Sequence, residues 1–153
     1  MVRVQEAAFD VAAETRALTA GRADIGAVVA FTGLCRDDGG ALAALELEHY
    51  PGMAEEEMGR VADEARARWP LLGLTLIHRY GAIAPGEEIV VVIACAAHRR
   101  AAFAAAEYLM DYLKTRAPFW KKERRRDGTC ADWVAAKDDD DAALDRWTTP
   151  ARP

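Results

Sequence analysis

Two periodicities alternate along the chain, and together they predict its elements. Residues 2 to 8 read as a short strand, and Asp10 is placed to cap a helix running to about Leu18. Gly26-Ala-Val-Val-Ala-Phe-Thr-Gly33 is a compact apolar run bounded by glycines, which predicts a buried strand. The polar segment Leu34 to Gly40 follows as a loop, punctuated by Asp-Asp and Gly-Gly. Ala44 to Tyr50 then alternates with period two, setting Leu45, Leu47 and His49 on one face and Glu46, Glu48 and Tyr50 on the other. After Pro51-Gly52, apolar residues at Met58, Val61, Ala62, Ala65 and Trp69 recur at helical spacing, with Glu55, Glu56 and Glu57 in the early turns and Pro70 as the stop. Leu74 to Tyr80 reads as a strand, Gly81 to Gly86 as a turn, and Glu88 to Ala96 as the central strand of the core.

A long alanine-rich helix is predicted from about His98 to Arg116, with Phe103, Ala106, Met110 and Leu113 along one stripe and Lys114 beside it. Pro118 ends it, and Phe119 to Arg124 should be extended. Asp127-Gly128 supplies a hairpin turn into a returning strand, Thr129 to Val134. The acidic run Asp138 to Asp141 suits the first turn of a final short helix.

Composition narrows the class. A chain of 153 residues, 52% hydrophobic, can bury one core and is too short for two comfortable domains, so residues 1–153 are read as one domain. A formal charge of −5 argues against a general nucleic-acid binder, which needs a broad basic surface; Lys121 to Arg126 is a local exception. Cys35, Cys95 and Cys130 form no CxxC pair and leave one over, a pattern that fits a reducing cytoplasm and implies neither a structural zinc nor a redox role. The N-terminal residues lack the apolar core of a signal peptide, and no apolar run reaches the ~20 residues of a membrane span. A cytoplasmic protein is expected.

Candidate chemistry gathers at two places. Sixteen arginines and four lysines make up the twenty basic residues, yet three of the lysines, Lys114, Lys121 and Lys122, fall close together. A lysine can give up its proton and act as base or nucleophile, whereas a guanidinium stays charged; the plainer alternative is solvated charge on a strand. The second place is His98-Arg99-Arg100, where cationic side chains meet the N–H groups of a helix start and could hold an anion, or could be a solvated first turn. Arg36, in the glycine-rich loop, is a weaker anion-binding candidate. His98 and Lys114 are sixteen residues apart on one helix, roughly 24 Å at 1.5 Å per residue. They serve either separate sites or one site completed by a second copy across a two-fold axis. His49 and His78, in strands with no metal-ligand partner nearby in sequence, read as structural, as do the cysteines. Glu46 and Glu48 read as a solvated strand face.

Several segments together carry a family resemblance: Gly26 to Gly33 with Arg36 three residues on, Leu47-Glu-His-Tyr-Pro-Gly-Met53, Ile77-His-Arg79, Ala97-His-Arg99, and Met110-Asp-Tyr-Leu-Lys-Thr-Arg-Ala-Pro-Phe-Trp-Lys121. Over about residues 25 to 147 the chain closely resembles the large, catalytic subunit of molybdopterin synthase; residues 1–24 match weakly and 148–153 form a tail. The resemblance implies an α/β hammerhead-type α+β domain with a mixed or antiparallel sheet and flanking helices. It also implies a central homodimer with a small ubiquitin-like sulfur carrier bound at each end, forming a heterotetramer. The carrier's C-terminal Gly-Gly thiocarboxylate passes sulfur to cyclic pyranopterin monophosphate, and two transfers build the molybdopterin dithiolene. By motif, Lys114 and Lys121 match the family's catalytic lysines, Arg36, His98 and Arg99 its anion-binding residues, and Phe31 and Met110 its pocket-lining positions. The His-Arg pair is implied to come from the partner subunit. No metal or other cofactor is implied. The loop after Arg36 is shorter than the family's, Arg100 extends the basic pair, and Lys137 stands where the family often has arginine. The alternative of another class is a noncatalytic module that docks a Gly-Gly tail.

Overall fold

The computed structural model describes residues 1–37, 39–131, 142, 143 and 145–147. In chain order the elements are β1 (Val2–Gln5), α1 (Val11–Thr19), β2 (Ala27–Leu34), β3 (Leu42–His49), α2 (Met53–Arg68), β4 (Leu71–Arg79), β5 (Gly81–Ile83), β6 (Glu88–Ala96), α3 (Arg99–Thr115) and β7 (Phe119–Arg125). They build a four-stranded sheet ordered β1-β4-β6-β2 and a three-stranded sheet ordered β5-β3-β7. The β1–β4 pair is parallel and all other pairs are antiparallel, so the α+β reading with a mixed sheet holds.

The larger sheet is covered on both faces. On one side β4 and β6 present Leu74, Leu76, Val90 and Val92 to Met58, Val61 and Ala65 of α2 and to Ala105, Tyr108, Leu109 and Leu113 of α3. Each Val, Leu or Met among them contributes about 1.5–3 kcal/mol when fully removed from water, and each Ala less. On the other side Ile77, Val91, Ile93 and Cys95 pack against Phe9, Val11 and Leu18 around α1. Apolar residues on both faces explain why β6 reads as a continuous hydrophobic run. Asp10 caps α1, accepting from the amides of Ala12 (2.8 Å) and Ala13 (3.0 Å). At α2 the left-handed Gly52, φ 85°, turns the chain, and its amide donates to Glu55 Oε2 at 2.9 Å. The small sheet has its own core of Cys35, Leu42, Leu47 and Ile83.

Several expected boundaries shift. The first strand ends at Gln5 and not at residue 8, and the fourth begins at Leu71. Gly81 to Ile83, read as part of a turn, is the short strand β5 pairing with β3. The main correction concerns β2, expected to be buried. It is an edge strand of the four-stranded sheet, with Val28 39%, Phe31 41% and Leu34 55% exposed. The Asp127-Gly128 hairpin forms, with Gly128 at φ 84° and the Arg125 amide donating to the Thr129 carbonyl at 2.8 Å. Its return is a single bridge between Arg124 and Cys130; residues 132–134 of the expected strand, the helix start at Asp138 to Asp141, and Lys137 lie outside the described residues. No helix among the described residues is long and apolar enough to cross a membrane.

Candidate active site

The register of the larger sheet sorts the candidate residues by which end they occupy. Val90 of β6 pairs with Gly33 on one side and with His78 on the other. Arg36 therefore leaves β2 at the His78 end of the sheet. There the Cys35 amide donates to the Glu87 carbonyl at 2.8 Å and the Gly86 amide to the Cys35 carbonyl at 2.7 Å, fixing the loop base below an exposed Arg36. The His98-Arg99 pair follows Ala96 at the opposite end of β6, about 20 Å away at ~3.3 Å per residue.

Lys121 arrives at the His78 end on the small sheet. It pairs with buried Leu47, while Phe119 pairs with His49, so Phe119, Lys121, Leu47 and His49 share the inner face. Phe119 stacks on the His78 ring, centroids 3.7 Å apart and planes at 15°, tying the two sheets together. Lys122 pairs with Glu46 and lies on the outer face with the Glu46–Arg124 ion pair, which places it away from Lys121.

Lys114 lies in the last turn of α3, separated from β7 by Thr115, Arg116, Ala117 and Pro118, so Lys114 and Lys121 stand on either side of one turn of the chain. One turn back, Met110 lines a cavity of about 460 Å³ between β2 and α3, together with Val29, Phe31, Phe103, Glu107 and Asp111. Phe31 and Met110, singled out as pocket positions, are thus brought to one cavity, and Lys114 follows along the same helical stripe. Glu107 and Asp111 were missed in the sequence, although each lies within one turn of Met110 on α3; Phe103 was placed on the Met110 stripe but not as a cavity residue. Asp111 is held by the chain's later part: its Oδ2 accepts from Trp147 Nε1 at 2.7 Å and pairs with Arg146.

His98 and Arg99 are not brought to this corner. They open α3, whose 17 residues span about 25 Å. His98 is the N-cap without a side-chain capping bond, and no acidic residue occupies the first turn. The helix start is left with N–H groups and exposed cationic side chains, an arrangement suited to an anion.

The cysteines fit an inert reading. Cys35 and Cys95 are buried, and burial pushes both thiols up, away from the thiolate; Cys130 is exposed and all three are free. Among the described residues no group of three or more His, Cys, Asp or Glu is arranged to hold a metal ion.

Comparison with known proteins decides the family. A model described as MoaE protein matches residues 4–116. The chain belongs to the MoaE family. A relative from Mesorhizobium japonicum, a molybdopterin synthase catalytic subunit, is 68% identical over 146 residues, covering 95% of this chain and 92% of the relative. Among solved structures, a molybdopterin biosynthesis MoaE protein from Burkholderia ambifaria superposes with a TM-score of 0.82 at 48% identity, covering 97% of this chain and 98% of that one. Molybdopterin synthase from Staphylococcus aureus gives a TM-score of 0.77 at 30% identity, over 86% of this chain and 95% of that one. The MoaE fold thus extends over nearly all of this chain, including the corner that carries Lys114 and Lys121.

Proposed function

We propose that this MoaE-family chain is the catalytic subunit of a molybdopterin synthase. It would take sulfur from the C-terminal thiocarboxylate of a small ubiquitin-like carrier and deliver it to cyclic pyranopterin monophosphate. The observation that supports this reading is that Phe31 and Met110 line one cavity, with Lys114 one turn beyond Met110 on α3 and Lys121 on the strand that follows that helix. Each transfer forms a carbon–sulfur bond at a pterin side-chain carbon and breaks that carbon's bond to oxygen, the oxygen leaving with a proton. Water then attacks the carrier's acyl carbon and the acyl–sulfur bond breaks, so the carrier leaves with an ordinary carboxylate and its sulfur stays on the pterin. Lys114 sits at the reacting carbon, where an ammonium offsets the charge gathering on the acyl oxygen and can hand a proton to the leaving oxygen. Lys121, on the inner face of the small sheet, holds the tail, and Arg36 binds anionic groups at the same end. The residues named use no resident metal or cofactor for these roles.

His98 and Arg99 are supplied by a second copy in this reading. The point midway between Arg99 and Lys114 along α3 falls between Ala106 and Glu107. A two-fold axis there sets Arg99 of each copy level with Lys114 of the other, and Phe103 level with Met110. Phe103 is 62% exposed and the edge strand β2 exposes Val28, Phe31 and Leu34, an apolar surface that a homodimer would cover. With one carrier per site the assembly is a heterotetramer, and the free cysteines suit a cytoplasmic setting.

The test is reconstitution. Purified chain, thiocarboxylated carrier and cyclic pyranopterin monophosphate are expected to yield dithiolene, and Lys114→Ala to lower the single-turnover rate by at least about a hundredfold with carrier binding intact. Near-normal turnover by Lys114→Ala would refute its role. Carrier binding without product from the unaltered chain would favour a docking module over a catalyst.

A further inference from the structure

His78 has no role in the chemistry above, yet its surroundings are built with more constraint than a filler ring needs. It is 7% exposed on β4, on the face that also carries Leu74 and Leu76. Phe119 lies parallel to it at 3.7 Å, and Phe119 also stacks with His49 at 6.1 Å, whose ring meets Tyr80 at 4.5 Å. The ring cannot rotate freely inside that stack. His78 Nδ1 is 2.8 Å from the backbone oxygen of Arg79; a carbonyl only accepts, so Nδ1 carries the proton and Nε2 is left as the acceptor nitrogen.

Among the described residues, two basic groups act on this ring. Lys121, two residues beyond Phe119 on the same strand face, and His49, opposite Phe119, both disfavour a second positive charge on it. The Arg79 side chain is engaged elsewhere, donating to the Glu6 carbonyl at 3.0 Å and the Glu88 carbonyl at 3.0 Å. Burial, followed by those two neighbours, keeps His78 neutral, down to about 4. A carboxylate here would pair with the Lys121 ammonium and hold it to one partner. A neutral ring with a fixed acceptor nitrogen can direct an ammonium without cancelling its charge.

We propose that His78 is a positioning residue for Lys121, a neutral imidazole clamped by Phe119 and the Arg79 carbonyl that sets the direction of the Lys121 side chain at the carrier-tail site. The proposal rests on the reading of Lys121 given above. Phe119 couples the two residues mechanically, because its ring anchors the strand that carries Lys121 to the strand that carries His78.

Two substitutions separate the ring's nitrogen from its bulk. His78→Phe keeps an aromatic ring against Phe119 and removes the acceptor, whereas His78→Gln restores an acceptor near the Nε2 position. With folding verified by circular dichroism, His78→Phe is expected to lower kcat by about ten- to a hundredfold with KM changed less than about threefold. His78→Gln is expected to recover most of that loss. In a Lys121→Ala background, His78→Phe should cause no further fall. If the two losses multiply, or if His78→Phe turns over normally while Lys121→Ala does not, the proposal is overturned. Normal turnover by Lys121→Ala would instead refute the role assigned to Lys121 itself. Ring-nitrogen NMR of the unaltered chain tests the proposed interaction without requiring the His78 variants to fold. The Nε2 resonance of His78 should move when Lys121 is replaced by alanine, and an unmoved resonance would overturn the proposal.

Discussion

Acid should weaken this fold through His78, by an amount that the structure sets. The ring is buried and its pKa is lowered from 6.5 to about 4, first by desolvation and then by the neighbouring Lys121 and His49. In the unfolded chain the same imidazole regains its ordinary pKa. Between those two values the unfolded state binds the extra proton, so stability falls as pH falls, beginning near 6.5 and levelling off below about 4. A shift of one pKa unit is worth 1.36 kcal/mol, so the loss relative to neutral pH is about 2 kcal/mol at pH 5 and about 3 kcal/mol at pH 4. The measurement is urea unfolding followed by circular dichroism from pH 7.5 to 4.5, on the unaltered chain and on His78→Phe. Carboxylates titrate in both proteins and cancel in the difference. The free energy of unfolding should fall more steeply with acid in the unaltered chain, the two curves diverging by about 2 kcal/mol by pH 5. Parallel curves would refute the reasoning, because only an accessible ring adds no such dependence, and divergence of the opposite sign would mark a ring paired as a cation.

Two further outcomes test the packing that positions the site. Gly26 lies where a Cβ would come within 2.3 Å of the Ala97 carbonyl oxygen, a backbone atom that cannot swing aside, so Gly26→Ala should cost about 2–3 kcal/mol in urea unfolding. A cost under about 0.5 kcal/mol would show that the β6–α3 junction, which sets the direction of His98, is looser than described. Met58 is fully buried between α2, α3 and the sheet, and Met58→Ala should lower stability by about 2–5 kcal/mol without altering carrier affinity, measured by calorimetry.

The parts of the fold that could be read in the sequence are those whose neighbours in space are also neighbours in pattern. The run from Glu88 to Ala96 coincides with β6 because a strand covered on both faces must be apolar throughout. The same logic misread β2, since apolar residues on an edge strand look like those of a buried one. The difference lies in strand order, which is a long-range property. β5 was lost inside a glycine-bounded turn because three residues carry no period of their own. In the site, the spacing along α3 was enough to set His98 and Arg99 apart from Lys114. The stack of Phe119 on His78 joins different sheets, and nothing in either local sequence announces it. For that reason the sequence places His78 on a strand but does not show what it packs against.

The central claim is that each site is built from two copies of the chain, with Lys114 from one and Arg99 from the other. Mixing two inactive variants tests it most directly. Lys114→Ala and Arg99→Ala, each inactive alone, are co-folded in equal amounts and assayed for dithiolene formation with thiocarboxylated carrier. Random pairing makes about half of the dimers mixed, and each mixed dimer holds one intact site of two, so about a quarter of the unaltered activity should return. A mixture as inactive as its parents, with mixed dimers verified by differential tags, would contradict the account and place Lys114 and Arg99 in sites that do not meet.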